Sequence, residues 1–163
     1  MLSRVGEREE ETAVRVVILF GTEMGTAERA AEAVADVLGG HDVAVYDMFD
    51  FDVDDLDVRD FHILVCSTYG SGDLPTGAEP FFEQLDDRLP DLTGLRFAVF
   101  GLGDTVYEDT FNRGGEICAE KFAARGAIQV GEHGRHDAST PERAHDQARG
   151  WARTLPINTL AAV

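Results

Sequence analysis

Two threonines flank a glycine turn that has the chemistry to hold a phosphate. Thr22 and Thr26 follow an apolar, β-branched run at residues 14–20 and precede apolar residues at helical spacing over residues 27–38. A buried strand leading into a helix points the unpaired N–H groups of the first helical turn, with both hydroxyls, at any ligand there. The helix dipole favours an anion at that end. Taken alone, such a turn is more often only a capped strand-to-helix connection.

The turn lacks two features of other nucleotide sites. No lysine follows Gly25, so the stretch is not a loop for a triphosphate with Mg²⁺, and no G-x-G-x-x-G follows the first strand. The turn therefore predicts a monophosphate that is held without metal or lysine.

Two further loops carry an aromatic residue each. Tyr69 lies in the loop at residues 68–77, after a strong apolar strand at 61–67, and Tyr107 lies in the loop at residues 101–111, after another at 95–100. Both loops are rich in Gly, hydroxyl and Asp residues. Because flat rings stack favourably on aromatic faces, two tyrosines beside a phosphate site predict a planar ring system between them. The alternative is that each tyrosine only packs its own loop.

The elements that position these loops alternate along the chain. We expect strands at residues 15–20, 43–46, 61–67, 95–100 and 128–130, and helices at 27–38, around Phe81, Phe82 and Leu85 with an end at Pro90, at 115–125 and at 141–155. The aspartate-rich residues 50–60 predict a short helix or a loop. This alternation predicts an α/β fold with a parallel sheet covered on both faces, in which ligands bind at the carboxyl ends of the strands.

Composition limits the partners. Among 163 residues, 31 Asp and Glu stand against 14 Lys and Arg, for a net charge of −17, and Lys121 is the only lysine. This balance excludes nucleic acid and anionic membranes as partners and favours a protein adapted to a high-salt cytoplasm. We expect Cys66 and Cys118 to be small buried hydrophobic side chains. Two cysteines this far apart indicate no disulfide framework and favour a reducing compartment. We expect one domain over residues 14–156, between a tail at 1–13 and another at 157–163.

Three stretches together resemble a known family. They are G-T-E-M-G-T-A-E at residues 21–28, S-T-Y-G-S-G-D-L-P at 67–75 and F-G-L-G-D-T-V-Y-E at 100–108. They are similar, in order and with the right strands between them, to the three FMN-binding loops of the flavodoxin family, and more closely to the FMN domains of diflavin reductases than to long-chain flavodoxins. The resemblance covers residues 14–151. It implies a doubly wound, five-stranded parallel sheet with strand order 2-1-3-4-5.

The resemblance also implies which residues bind FMN. The phosphate would be held by the first loop, with Met24 where many members have Ser or Thr, and the isoalloxazine ring and ribityl chain by the other two. The residues so implied are Thr22, Glu23, Met24, Gly25, Thr26, Ala27, Ser67, Thr68, Tyr69, Gly70, Gly72, Gly101, Leu102, Gly103, Asp104, Tyr107, Phe111 and Asn112.

The function implied is electron transfer on FMN. No acid–base or nucleophile constellation stands out, and His133, His136 and His145 in a polar stretch are typical of surface residues rather than of a metal site. We therefore predict a short, monomeric carrier that shuttles single electrons between an NAD(P)H-dependent flavin or ferredoxin reductase and an acceptor enzyme, by an acidic face. The alternatives are an FMN-dependent quinone reductase and a flavin-free binding module of the same fold. A receiver domain is disfavoured, because the acidic cluster after the first strand and the phosphoacceptor aspartate after the third are missing.

Overall fold

The computed structural model describes residues 14–70, 72–103 and 112–157. The helices in this part of the chain are α1 (Thr26–Val37), α2 (Glu79–Arg88), α3 (Arg113–Ala124) and α4 (Ala144–Ala152). The strands are β1 (Arg15–Gly21), β2 (Asp42–Asp47), β3 (Phe61–Ser67), β4 (Arg96–Gly103), β5 (Ile128–Gln129) and β6 (Gly134–Asp137). A short 3-10 turn at Val53–Asp55 lies in the aspartate-rich segment, as predicted.

The sheet is parallel and has the order β2-β1-β3-β4-β5, which confirms the predicted topology. β1 lies between β2 and β3, with Ile18 opposite Val45 on one side and Ile63 on the other. β1, β3 and β4 are buried along almost their whole length because both faces of the sheet are covered. This explains why these three strands are near-continuous apolar runs in the sequence.

The fifth position of the sheet differs from the prediction. We expected a single strand at residues 128–130, whereas two short strands pair in succession with β4: β5 with Arg96 and Phe97, and β6 with residues 100–103. β6 was missed because its sequence, Gly-Arg-His-Asp, has no apolar side chain. Main-chain pairing with β4 holds it in place, and Gly134 leaves room for Phe100 and Trp151 to pack.

Two hydrophobic clusters sandwich the sheet. One joins α1 and α4 to one face, where the small side chains Ala30, Ala31 and Ala148 let the helices approach closely. The other joins α2 and α3 to the opposite face through a group of rings that includes Phe81, Phe82, Phe97 and Phe122. These two layers fix the helix starts relative to the strand ends.

The last helix is shorter than predicted. It spans residues 144–152 rather than 141–155, and Arg143 before it has extended backbone angles. Pro141 therefore lies in the preceding turn and not at the helix start. Beyond the helix, Ile157 is 2% exposed and packs in the same cluster as α1, so the core reaches at least this residue.

The two cysteines are buried and free, as predicted. Cys66 of β3 and Cys118 of α3 lie in the cluster on the α2 and α3 face, and burial raises the pKa of the Cys118 thiol. A buried thiol with a raised pKa is a poor nucleophile. The Cys118 side chain therefore acts as a small hydrophobe, and Cys66 is equally buried in the same cluster.

His62 of β3 is a buried titratable side chain, 1% exposed. Its Nδ1 donates to the carbonyl oxygen of Asp60 at 3.1 Å, and its Nε2 is buried without a partner among the described residues. Burial is the main cause that lowers the pKa of His62 to about 4, partly opposed by the Asp60 hydrogen bond and the charge of Asp57; Arg15 acts in the same direction as burial. His62 is thus neutral in the folded protein near neutral pH.

We expect His62 to make the folded state sensitive to mild acid. Its pKa is about 4 folded and about 6.5 in a model peptide, so the unfolded chain binds the extra proton between these values. The free energy of unfolding should then fall as the pH drops through this window, by up to about 3 kcal/mol. In His62→Leu that loss should shrink, whereas the half-buried turn variant His41→Leu should keep it. Denaturant melts of all three proteins at a series of pH values measure this, and an unchanged slope in His62→Leu would contradict it.

Candidate functional site

The carboxyl ends of four strands meet at one edge of the sheet. Gly21 at the end of β1 pairs with Cys66 of β3, and Cys66 with Gly101 of β4. Further along β4, Gly103 pairs with Asp137 at the end of β6. The loops that follow β1 and β3 are therefore neighbours, as the sequence predicted.

The loop from Thr22 to Gly25 leads into α1, and Gly25 is the residue just before the helix. The Thr22 Oγ1 accepts the N–H of Gly25 at 2.7 Å, and Gly25 has the left-handed φ of 94° that favours glycine. No side chain among the described residues caps this helix end, so the first N–H groups of α1 stay available to an anion. The hydroxyl hydrogen of Thr22 also remains free to donate. This loop fits a phosphate group, and we call residues 22–25 the phosphate loop.

Glu23 and Met24 of the phosphate loop point elsewhere. The Glu23 carboxylate accepts two hydrogen bonds from Thr76, one from its N–H at 2.7 Å and one from its hydroxyl at 3.0 Å. Met24 is 89% exposed. Arg29 lies one turn into α1. Its Nη1 is 3.8 Å from the point that a Cβ on Gly25 would occupy, so its guanidinium is close to the phosphate loop.

The loop after β3 carries an exposed aromatic ring. Tyr69 and Asp73 exchange two main-chain hydrogen bonds of 2.8 Å each, and this tight turn contains Gly70 at φ 54° and Gly72 at φ 111°. Tyr69 is 45% exposed, so a flat ligand can reach it from solvent and stack on its ring. We call residues 68–70 and 72–78 the ring loop.

Thr68 of the ring loop holds the start of α3. Its hydroxyl oxygen accepts the N–H of Gly114 at 3.0 Å. A Cβ on Gly114 would overlap the carbonyl oxygen of Ser67, so only glycine lets α3 begin this close to β3. Sequence reasoning did not single out Gly114, since nothing in its neighbourhood along the chain reveals this contact.

Asn112 lies where β4, β6 and α3 meet. It is fully buried at φ 58°, and its Nδ2 donates to the carbonyl oxygen of His136 at 3.3 Å. Its Oδ1 has no partner among the described residues and lies 2.7 Å from where a Cβ on Gly101 would stand. Gly101 and Leu102 are buried beside it, and Gly103 accepts the N–H of Ala138 at 2.8 Å. The predicted site residues Asp104, Tyr107 and Phe111 lie outside the described residues.

The histidines of the polar stretch are not all at the surface. His136 in β6 is 6% exposed and its Nδ1 lies 2.7 Å from the Gln147 Oε1, contrary to the surface position expected from the sequence. His133 is half-buried, and burial lowers its pKa. Within residues 14–70, 72–103 and 112–157, no group of three or more His, Cys, Asp or Glu side chains is placed to hold a metal ion.

A model of a known protein family matches most of the amino-acid sequence. The model described as flavodoxin matches residues 18–151. The chain belongs to the flavodoxin family. Flavodoxin 1 of Azotobacter vinelandii is 36% identical over 120 residues, which are 72% of this chain and 69% of that protein. NADPH-dependent diflavin oxidoreductase 1 of Schizosaccharomyces pombe is 33% identical over 91% of this chain but only 26% of its own length.

Solved flavodoxin structures have the same fold. A cysteine-to-serine mutant of flavodoxin from Pseudomonas aeruginosa superposes with a TM-score of 0.77 at 33% identity, over 91% of this chain and 97% of that one. This flavodoxin-like chain is an electron-transfer protein with FMN as its cofactor. None of the helices in the described part of the chain has the length and apolar character that crossing a bilayer requires.

Proposed function

We propose that this protein is a free-standing electron carrier that takes electrons from an NAD(P)H-dependent flavin or ferredoxin reductase and passes them to an acceptor enzyme. One observation carries the proposal: the uncapped start of α1 and the exposed ring of Tyr69 lie on neighbouring loops at one edge of the sheet. FMN supplies the one-electron redox chemistry when it is bound. The chain's own residues hold it and limit access to it.

We assign the parts of FMN to the loops as follows. The phosphate accepts from the hydroxyls of Thr22 and Thr26 and from main-chain N–H groups of residues 23–27, while Tyr69 covers one face of the ring. Ser67, Thr68, Gly70 and Gly72 shape the ring loop, and Gly101, Leu102, Gly103 and Asn112 form the opposite wall. Asp104, Tyr107 and Phe111 complete the site as predicted from the sequence.

Acidic side chains begin next to this site and suggest where the reductase docks. The N–H of Met48, just after β2, donates to the carbonyl oxygen of Phe20 at 2.9 Å, so the chain leaves β2 beside the phosphate loop. Asp50, Asp54 and Asp55 follow and are exposed. A partner with a basic surface would be attracted to this segment, most strongly at low ionic strength.

The alignment with the diflavin oxidoreductase favours a second candidate role. The chain matches about a quarter of that protein along nearly its own whole length. In this second role the chain is the FMN component of a reductase system whose other parts are separate proteins.

A spectrum and a turnover assay test the proposed function. The purified protein loaded with FMN should show flavin absorbance, and it should reduce cytochrome c only when a ferredoxin or flavin reductase and NADPH are also present. Rapid oxidation of NADPH by the protein alone with a quinone would show a quinone reductase instead. Failure to retain FMN at micromolar concentration would show a flavin-free module.

The net charge of −17 leads us to propose a protein adapted to a high-salt cytoplasm. In dilute buffer the 31 acidic side chains repel one another, whereas at molar salt the Debye length falls to about 3 Å and the repulsion is screened. We expect the melting temperature to rise from low to multimolar KCl. Sucrose strengthens burial without screening charge, so repeating the melts in sucrose separates charge screening by KCl from a general stabilisation by the added solute. A melting temperature that stays flat or falls with KCl would contradict this proposal.

A further inference from the structure

Glu23 lies in the phosphate loop but bonds to the ring loop. Its carboxylate accepts from the N–H and the hydroxyl of Thr76, at 2.7 and 3.0 Å. The two residues are 53 positions apart in the chain, so this contact exists only in the folded protein. A carboxylate aimed at the phosphate would repel it, whereas here both of its oxygens are engaged by Thr76.

A second contact joins the same two loops. The N–H of Gly77 donates to the carbonyl oxygen of Thr22 at 3.2 Å. A Cβ on Gly77 would stand 2.5 Å from that oxygen and 3.2 Å from the Thr22 nitrogen, so the backbones touch with no room for a side chain. The ring loop therefore rests directly on the phosphate loop at residues 76–77.

We propose that Glu23 is a positioning residue: by binding Thr76 it holds the ring loop against the phosphate loop and so sets the affinity for the whole flavin, not for its phosphate alone. This inference rests on FMN being the cofactor. It assigns to Glu23 a role different from the phosphate contact implied by the family resemblance. Tyr69 is on the held loop, so its ring is pre-positioned before the flavin arrives.

The two roles predict different affinities for FMN and for riboflavin, which lacks the phosphate. If Glu23 positions the ring loop, Glu23→Ala weakens both ligands by a similar factor, about tenfold for the loss of hydrogen bonds to a charged group at an exposed position. If the carboxylate acts on the phosphate, the same change alters FMN binding and leaves riboflavin unaffected. Fluorescence titration of the full-length apo-protein with each ligand gives both constants.

Glu28→Ala is the matched control. Glu28 is an exposed carboxylate in the first turn of α1, and the described structure gives it no hydrogen bond or ion pair. It removes the same charge close to the phosphate loop without touching the ring loop. We expect it to leave riboflavin affinity unchanged.

Thr76→Val tests the partner. It removes the hydroxyl but keeps the N–H, so we expect a smaller loss than in Glu23→Ala, and no further loss when it is added to Glu23→Ala. Hydrogen exchange at the Thr76 amide of the apo-protein should accelerate in Glu23→Ala and not in Glu28→Ala. Three results would each overturn the proposal: a Glu23→Ala variant that loses affinity for FMN but not for riboflavin, losses of affinity that add up in the double variant, or hydrogen exchange at the Thr76 amide that Glu23→Ala leaves unchanged. If the unmodified protein binds FMN normally, the assigned cofactor stands, and any of these outcomes then counts against the role of Glu23 alone.

Discussion

Replacing both Thr22 and Thr26 with Ala should weaken FMN binding more than a hundredfold while changing riboflavin binding only slightly. Each hydroxyl can donate to the phosphate, and a hydrogen bond to a charged group contributes about 1.5–3 kcal/mol, so the pair is expected to contribute about 3–6 kcal/mol. The Thr22 hydroxyl oxygen already accepts from Gly25, which orients its hydrogen away from that bond. Titrations of the apo-protein with both ligands measure the difference.

The Thr22→Ser and Thr26→Ser double variant is the control. Serine keeps both hydroxyls and the bond to Gly25, so FMN affinity should return to within a few-fold of the original. Equal losses for FMN and riboflavin in the Ala variant would mean that the loop binds no phosphate. If the Ser double variant bound FMN as weakly as the Ala double variant, the shape of the threonine side chains, and not their hydrogen bonding, would decide the affinity.

Gly114→Ala adds only one methyl group, yet we expect it to destabilise the fold strongly. The new Cβ would overlap the carbonyl oxygen of Ser67 and lie 2.9 Å from its carbonyl carbon and 3.1 Å from the Thr68 Cα. Because these are backbone atoms, they have little room to adjust. Moving α3 away would also break its bond to Thr68. We expect the free energy of unfolding of the apo-protein to fall by about 3 kcal/mol, because overpacking here shifts a helix against a buried strand.

Gly150→Ala provides the comparison within the same fold. Gly150 is an exposed glycine inside α4, and a Cβ there would meet nothing within 4 Å. Alanine should stabilise the helix by about 0.5–1 kcal/mol. Urea denaturation of both variants measures the contrast, and a Gly114→Ala midpoint equal to that of the unmodified protein would show that α3 can shift freely.

The parts of the fold that follow from local pattern were predictable. The apolar runs of β1, β3 and β4 predicted buried strands, and the sequence pattern of α1 predicted its position to within one residue at each end. β6 could not be predicted, because Gly134, Arg135 and His136 are held by main-chain pairing to β4 and not by apolar side chains of their own.

The candidate site was predictable as a set of loops but not as a set of contacts. The positions of the loops follow from the strand order, so the phosphate loop and the ring loop were expected to be neighbours. The role of Glu23 depends on Thr76, and the need for glycine at position 77 depends on Thr22; in each pair the partner is more than 50 residues away. Such contacts arise from the tertiary packing and have no signature in the local sequence.

The division of the fifth sheet position into β5 and β6 also bears on self-association. A long, flat edge strand offers a row of unpaired N–H and C=O groups on which another chain can assemble. Here the edge on the β5 and β6 side consists of a two-residue strand and a four-residue strand, and the longer one carries the charged, exposed Arg135. On this side of the sheet a second molecule therefore finds only two short strands to pair with, which disfavours polymerisation through the β5 and β6 edge.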